Sequence, residues 1–180
     1  MQQDELSLVR QAQELNPEAF TKLYETYFDK IYRYISLRIG NQMEAEDMTQ
    51  QVFLNALESI NSFKWRGVPF SAWLFRIAHN QVVDHLRKKS KFQFVPLDTP
   101  SADRDDDCSS AEKVELKINL EQLHSAMGGL TEAQREVISL RFTSELSIAE
   151  VAKIMGKNEG AVKALQHSAI RALRRIMVPG

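Results

Sequence analysis

The chain has a single cysteine, Cys108, among 180 residues. It can therefore form no internal disulfide, and no Cys or His grouping has zinc-site spacing. That thiol sits in an acidic stretch whose only near basic neighbour is Arg104, so it reads as incidental. Seven glycines are scattered along the chain. No Gly-rich phosphate cradle, nucleophile elbow or metal-ligand pattern is present, which argues against an enzyme and leaves no cofactor or metal to expect. No apolar run approaches the ~20 residues of a membrane span. The opening MQQDELSLVR is too polar and acidic for a signal peptide, so the default location is the cytoplasm, with no membrane insertion. Strand-period alternation is missing too, and the expected class is all-α. His79 and His85 read as ordinary helix residues that point to different faces.

What is present begins with charge. The formal net charge is −1, but it is segmented. Residues 1–60 carry ten acids and five bases, whereas 76–91 carry Arg76, Arg87, Lys88, Lys89 and Lys91 against Asp84 alone. Residues 98–115 reverse to seven acids and two bases, and from Lys153 onward six bases face one acid, Glu159. Such blocks suit one surface for a protein partner and two for nucleic acid, with an acidic spacer between them.

The hydrophobic share of 43% supplies material for real cores, and periodicity places them in two helical domains. Asn16-Pro17 reads as a capped helix start, and the stripe Phe20, Leu23, Tyr24, Tyr27, Ile31, Tyr34, Ile35 runs towards Gly40. A second helix opens at Asn41 with Glu44 and runs to Ile60. After a break over 61–69, FSAWLFRIAHNQVVDHLRKK is a strong amphipathic helix ending in bases. These make a first domain over 1–90. Periodicity disappears across 91–111, where PLDTPSADRDDDCSS has little to bury, and this reads as a flexible acidic linker. A second domain of four helices follows over 112–180, with helices over about 112–127 and 131–142 before the last pair.

That last pair is the most specific pattern. Ser147 with Glu150 forms a capping box for a short helix, Gly156 suits a left-handed C-terminal residue, and Asn158 caps a longer basic helix. Ala161, Val162, Leu165, Ala169, Leu173 and Ile176 give that helix an apolar stripe, leaving Lys163, Gln166, His167, Arg171 and Arg174 mostly outward. A short helix, tight turn and longer basic helix is the helix-turn-helix arrangement that puts side chains into the DNA major groove. A helical hairpin with a merely solvated basic face is the other reading of this segment.

Four stretches in order, AFTKLYETYFDKIYRYI, AEDMTQQVFLNAL, FSAWLFRIAHNQVVDHLRKK and the final helix-turn-helix, cover nearly the whole chain. Together they resemble the two-domain extracytoplasmic-function sigma factors of bacterial RNA polymerase. The resemblance implies a transcription initiation factor whose partners are core RNA polymerase, promoter DNA as duplex and as melted non-template strand, and, by family habit, an anti-sigma factor. It places core-polymerase docking on Glu46, Asp47, Gln50, Gln51 and Phe53, with Phe53 expected as an exposed aromatic. It places minus-ten recognition and melting on Lys64, Trp65 and Arg66 in the loop and on Phe70, Trp73, Arg76, Asn80, Asp84, Arg87 and Lys88 along the helix. A positive groove, flat apolar surfaces and polar edges are what unstacked bases require. Trp73, by its spacing, suits the core better than a base platform. Minus-thirty-five reading falls to Lys157, Asn158, Glu159, Lys163, Gln166, His167 and Arg171.

The chain departs from the family pattern in places. His79 stands where a basic residue is usual, which weakens phosphate attraction at neutral pH. Ala164-Leu165 replaces a common Ser-Arg pair, and Ser168 a common base. A conventional dimeric helix-turn-helix regulator is the alternative reading. It requires a dimerisation helix and a ligand pocket, and leaves the loop aromatics unexplained.

Overall fold

A computed structural model describes residues 2–92 and 122–177. Among the described residues the protein is helical and without strands. The first domain contains α1 (Gln2–Gln13), α2 (Pro17–Ile39), α3 (Gln42–Ser59), a 3-10 turn over Ile60–Ser62, and α4 (Phe70–Phe92). The second contains the helical residues 122–127 (α5), then α6 (Glu132–Thr143), α7 (Ile148–Met155) and α8 (Glu159–Met177). Most of the acidic spacer, Cys108 and the expected helix start near residue 112 lie outside the described residues.

Local chemistry explains most of the boundaries. Asn16 Oδ1 accepts from the N–H groups of Glu18 and Ala19, with Pro17 in the first turn, so α2 starts where two orphan donors are satisfied. It ends at Gly40, whose φ of 76° is a left-handed C-cap returning an N–H to Ser36. Asn41 then caps α3 through the Glu44 N–H. In the second domain, Thr131 with Gln134 and Ser147 with Glu150 both form reciprocal capping boxes. Gly156 closes α7 at φ 66°, and Asn158 Oδ1 accepts from Ala161 N–H at 2.8 Å to open α8.

Helix α1 is the element that periodicity did not announce. It buries Val9 and Ala12, and Gln13 at its end donates to the carbonyls of Ile60 (2.9 Å) and Phe63 (3.0 Å). One side chain thereby fixes the 3-10 turn and the start of the 63–69 loop. The α2 stripe Ala19, Leu23, Tyr27, Ile31, Tyr34, Ile35 is buried as its three-to-four spacing requires.

The two domains touch. Val137 and Leu140 of α6 and Val151 and Ile154 of α7 share one apolar cluster with the core of α2, α3 and α4. Leu37 of α2 is enclosed on the other side with Met127, Leu130 and Ile138.

Candidate polymerase and promoter surfaces

Helix α3 presents Glu46, Asp47, Gln50 and Gln51 to solvent. Phe53 does not join them. It is 4% exposed, edge-on to Tyr24 at 4.8 Å and stacked near Phe28 at 6.3 Å. It turns inward because α2 offers an aromatic face there, and its burial holds α3 in place. The apolar contribution to the outer face comes instead from Met43, Leu54 and Leu57, all exposed. Amides and carboxylates around a few exposed aliphatics make the composition of a polar-rimmed protein interface.

The 63–69 loop stands on an aromatic rail. Tyr27 packs on Phe70 (5.8 Å), Phe70 on Phe63 (5.7 Å), and Phe63 meets Trp65 edge-on (6.1 Å) and Trp73 (5.4 Å). Phe70 is 1% exposed and is a core residue, so the sequence expectation of base contact fails for it: α2 covers its ring. Trp65 and Trp73 are half-buried, each with part of its ring left open. Phe63, which the sequence reading passed over, is the hub of the rail; its only sequence signal is an apolar residue inside a polar break. Lys64 and Arg66 flank Trp65 and are exposed.

Along α4, Arg76, Asn80, Asp84, Arg87 and Lys88 are all exposed, and the first four recur at helical spacing on one face. Loop and helix together offer cations beside a partly open indole, the combination that suits a single strand with unstacked bases. A cavity of about 500 Å³ lies between this surface and α7, lined by Phe63, Lys64, Arg66, Trp73 and Arg76 on one side and Glu150, Lys153 and Ile154 on the other.

His79 and His85 are not idle helix residues. His85 Nε2 lies 3.5 Å from Glu44 Oε2, tying α4 to the start of α3. His79 Nδ1 lies 2.7 Å from Glu136 Oε1 of the second domain, and Tyr34 OH donates to the same oxygen at 2.6 Å. Arg38 pairs with both Glu136, Nε to Oε2 at 2.9 Å, and Glu132. Burial works to raise the Glu136 pKa, but the His79 hydrogen bond and the Arg38 charge outweigh it and hold the carboxyl below its ordinary value. Burial and then the Glu136 charge push the Tyr34 phenol well above its own, so it stays a donor. With an ionised carboxylate accepting, the His79 Nδ1 carries the proton.

In the helix-turn-helix, Lys157, Asn158, Glu159, Lys163, His167 and Arg171 are exposed while Val162, Ala169 and Leu173 pack inward. Gln166 is half-buried, its Oε1 accepting from Arg141 Nε at 3.0 Å, so it is partly engaged within the domain. The free N–H groups of α8 and its cationic outer side form a surface suited to phosphates and base edges.

The order of these surfaces along one chain is matched by two family models: Sigma-70 region 2 over residues 23–92 and Sigma-70, region 4 over residues 126–175. The chain belongs to the extracytoplasmic-function (ECF) sigma factors. It is 31% identical over 89% of its length to the ECF RNA polymerase sigma factor SigX of Bacillus subtilis, covering 84% of that protein. It is 40% identical over 96% of its length to the ECF RNA polymerase sigma factor BldN of Streptomyces coelicolor, spanning 65% of that relative. Among solved structures, CnrH in complex with the cytosolic domain of CnrY matches with a TM-score of 0.72 over 94% of both chains at 24% identity. The sigma factor RpoE in complex with the anti-sigma factor NepR from Bartonella quintana matches at 0.70 over 89% of this chain and 98% of that one, at 22% identity. These two share the fold. Region 2 thus falls within the first domain and region 4 within the second, and a sigma factor rather than a conventional regulator is favoured. No helix among the described residues is long and apolar enough to cross a membrane.

Proposed function

We propose that this ECF sigma factor is a non-catalytic initiation subunit acting in the cytoplasm: it binds core RNA polymerase, directs it to a two-part promoter and helps melt the minus-ten region. Region 2 spans 1–90 in this reading and region 4 spans 112–180, joined through 91–111. Glu46, Asp47, Gln50 and Gln51 with Leu54 and Leu57 form the polymerase face, and Phe53 supports it from below. Lys64, Trp65 and Arg66 with Trp73, Arg76, Asn80, Asp84, Arg87 and Lys88 hold the non-template strand, Phe70 and Phe63 being the floor of that site. Lys157, Asn158, Glu159, Lys163, Gln166, His167 and Arg171 meet the minus-thirty-five duplex. An anti-sigma factor that sequesters these surfaces is the expected regulatory partner.

The observation that carries this reading is the loop on its rail: Trp65 is raised between two cations beside an exposed Arg76–Asn80 face, in the same chain as an exposed helix-turn-helix. Two modest DNA-binding modules gain effective concentration from each other once both sit on polymerase. The test is transcription in vitro from sheared genomic DNA of the source organism with core polymerase, mapping RNA 5′ ends with and without this protein. Discrete new starts preceded by a shared two-part motif are expected. None, with a polymerase that responds to another sigma factor, contradicts the proposal. On a promoter so mapped, replacing Lys163 or Arg171 should weaken minus-thirty-five binding by about 1–3 kcal/mol where the side chain reads a base.

A further inference from the structure

Three parts of the second domain meet at Arg141 of α6, a residue outside the promoter contacts proposed above. Its Nη1 donates to the Leu146 carbonyl, just before the Ser147 cap of α7, and its Nε donates to Gln166 Oε1 of α8 at 3.0 Å. A second tie runs between the same two helices, Gln134 Nε2 of α6 donating to Ser168 Oγ of α8 at 3.1 Å. Helix α8 is thus fixed to α6 by side-chain bonds as well as by apolar packing. An arginine carries donors only, so the Gln166 atom that faces it is the carbonyl oxygen. The Gln166 Nε2 has no acceptor among the described residues and is not buried without one, which leaves its two hydrogens open to solvent one turn from the exposed Lys163.

We propose that Arg141 is a positioning residue that sets which base Gln166 reads: with its oxygen held on α6, Gln166 offers the major groove donors only and prefers guanine to adenine. This deepens the minus-thirty-five surface proposed above and rests on it. An unrestrained glutamine suits adenine, because its oxygen accepts from N6 while its nitrogen donates to N7. That pairing needs both ends of the amide at the base edge. Arg141 withdraws one end, since the Gln166 oxygen is engaged in a charge-assisted bond, and turning it outward would strip the Nε of its acceptor. Nor can the guanidinium follow the amide outward, because Nη1 is engaged at Leu146 and would loosen the turn before α7. Guanine presents two acceptors in the groove, O6 and N7, which match an amide nitrogen bearing two hydrogens. Adenine would set its N6 hydrogens against those of Gln166. Arg141 therefore acts through the amide it holds, not by touching DNA.

The experiment is transcription by core polymerase with the full chain, from a promoter library randomised over the minus-thirty-five element, with transcripts counted by sequencing. Gln166→Ala locates the position that Gln166 reads. There the wild type should favour guanine over adenine, and Gln166→Ala should shrink that ratio about fivefold or more. Arg141→Lys puts a methylene where Nε stood and keeps a cation for the Leu146 carbonyl, while Arg141→Met removes every donor. Both should shift the ratio towards adenine, Arg141→Met by about fivefold or more, at this position alone. A merely structural loss lowers transcripts from all elements alike and leaves the ratio unmoved. In the Gln166→Ala background neither Arg141 variant should move it, because no amide remains to be held. A wild-type preference for any base but guanine, or a ratio unmoved by both Arg141 variants, overturns the proposal; where Arg141→Met is inactive at every element, Arg141→Lys alone decides. If Gln166→Ala alters no position while Lys163→Ala or Arg171→Ala does, the proposal falls and the minus-thirty-five surface stands. If none of the three alters any position, that surface itself fails.

Discussion

Region 2 and region 4 are both helical, yet they are built from different materials. Every close aromatic pair among the described residues lies between Tyr24 and Phe75, in region 2. Region 4 has one aromatic in its whole span, the exposed Phe142, and packs on Val, Leu, Ile and Ala. Its precision comes from end chemistry instead: two capping boxes, an Asn cap and a left-handed glycine within Thr131–Ala161. The difference follows the tasks proposed for them. Holding a strand open calls for flat apolar surfaces on a stiff support, which interlocked rings provide. Meeting a closed duplex calls for one helix set at a fixed angle with its N-terminus exposed, which caps and small apolar residues provide.

Breaking the rail should have the largest effect. Phe63→Ala removes the hub between Trp65, Phe70 and Trp73, and should cost region 2 about 3–5 kcal/mol in urea unfolding. Region 4, monitored by helix-specific probes, should be nearly unchanged. Next come the two left-handed caps. Gly156→Ala meets open space and should cost only the backbone term, about 1–2 kcal/mol. Gly40→Ala carries the same strain and must also expel the His124 ring, adding about 1–3 kcal/mol. Equal losses in thermal unfolding would mean that α5 does not rest on Gly40 in solution. Ser147→Ala, which deletes one arm of the α7 capping box, should cost about 1 kcal/mol in region 4 and nothing in region 2.

Acidity separates the domains more gently. The charged and titratable groups where α6 meets the first domain are Glu136, Glu132, Arg38, His79 and Tyr34. Because the Glu136 pKa is lowered in the docked state, its contribution is complete above the ordinary carboxyl value of 4.5 and is lost as pH falls through the docked value. The Tyr34 pKa is raised, so its contribution is present below 10.0 and declines as pH rises beyond that. Trp73 beside α7 reports the contact. Its emission should change on acidification below about pH 4.5, and a flat trace through that window would remove Glu136 from the interface.

Region 4 was the more legible half. Capping residues act within three or four positions of themselves, so Thr131, Ser147, Gly156 and Asn158 declared their helices without tertiary context. In region 2 the helices from Asn16, Asn41 and Phe70 were equally plain, but what each face meets was not. Phe53 and Phe70 were expected at binding surfaces and are core, because the α2 rings that cover them are distant in sequence. Helix α1 escaped notice because Val9 and Ala12 give it too thin a stripe. Nothing local could have paired His79 with a carboxylate 57 residues away. The four family-like stretches point to the surfaces proposed above, and only packing shows which side chains remain free to form them.

The central claim is that region 2 separates polymerase docking from strand opening, and one measurement addresses it directly: permanganate reactivity of promoter thymines, read beside polymerase retention, for Trp65→Ala and Asp47→Ala. Trp65→Ala should keep polymerase bound and lose minus-ten reactivity, while Asp47→Ala should lose polymerase and reactivity together. Full reactivity with Trp65→Ala, or loss of polymerase by both variants alike, would contradict the account.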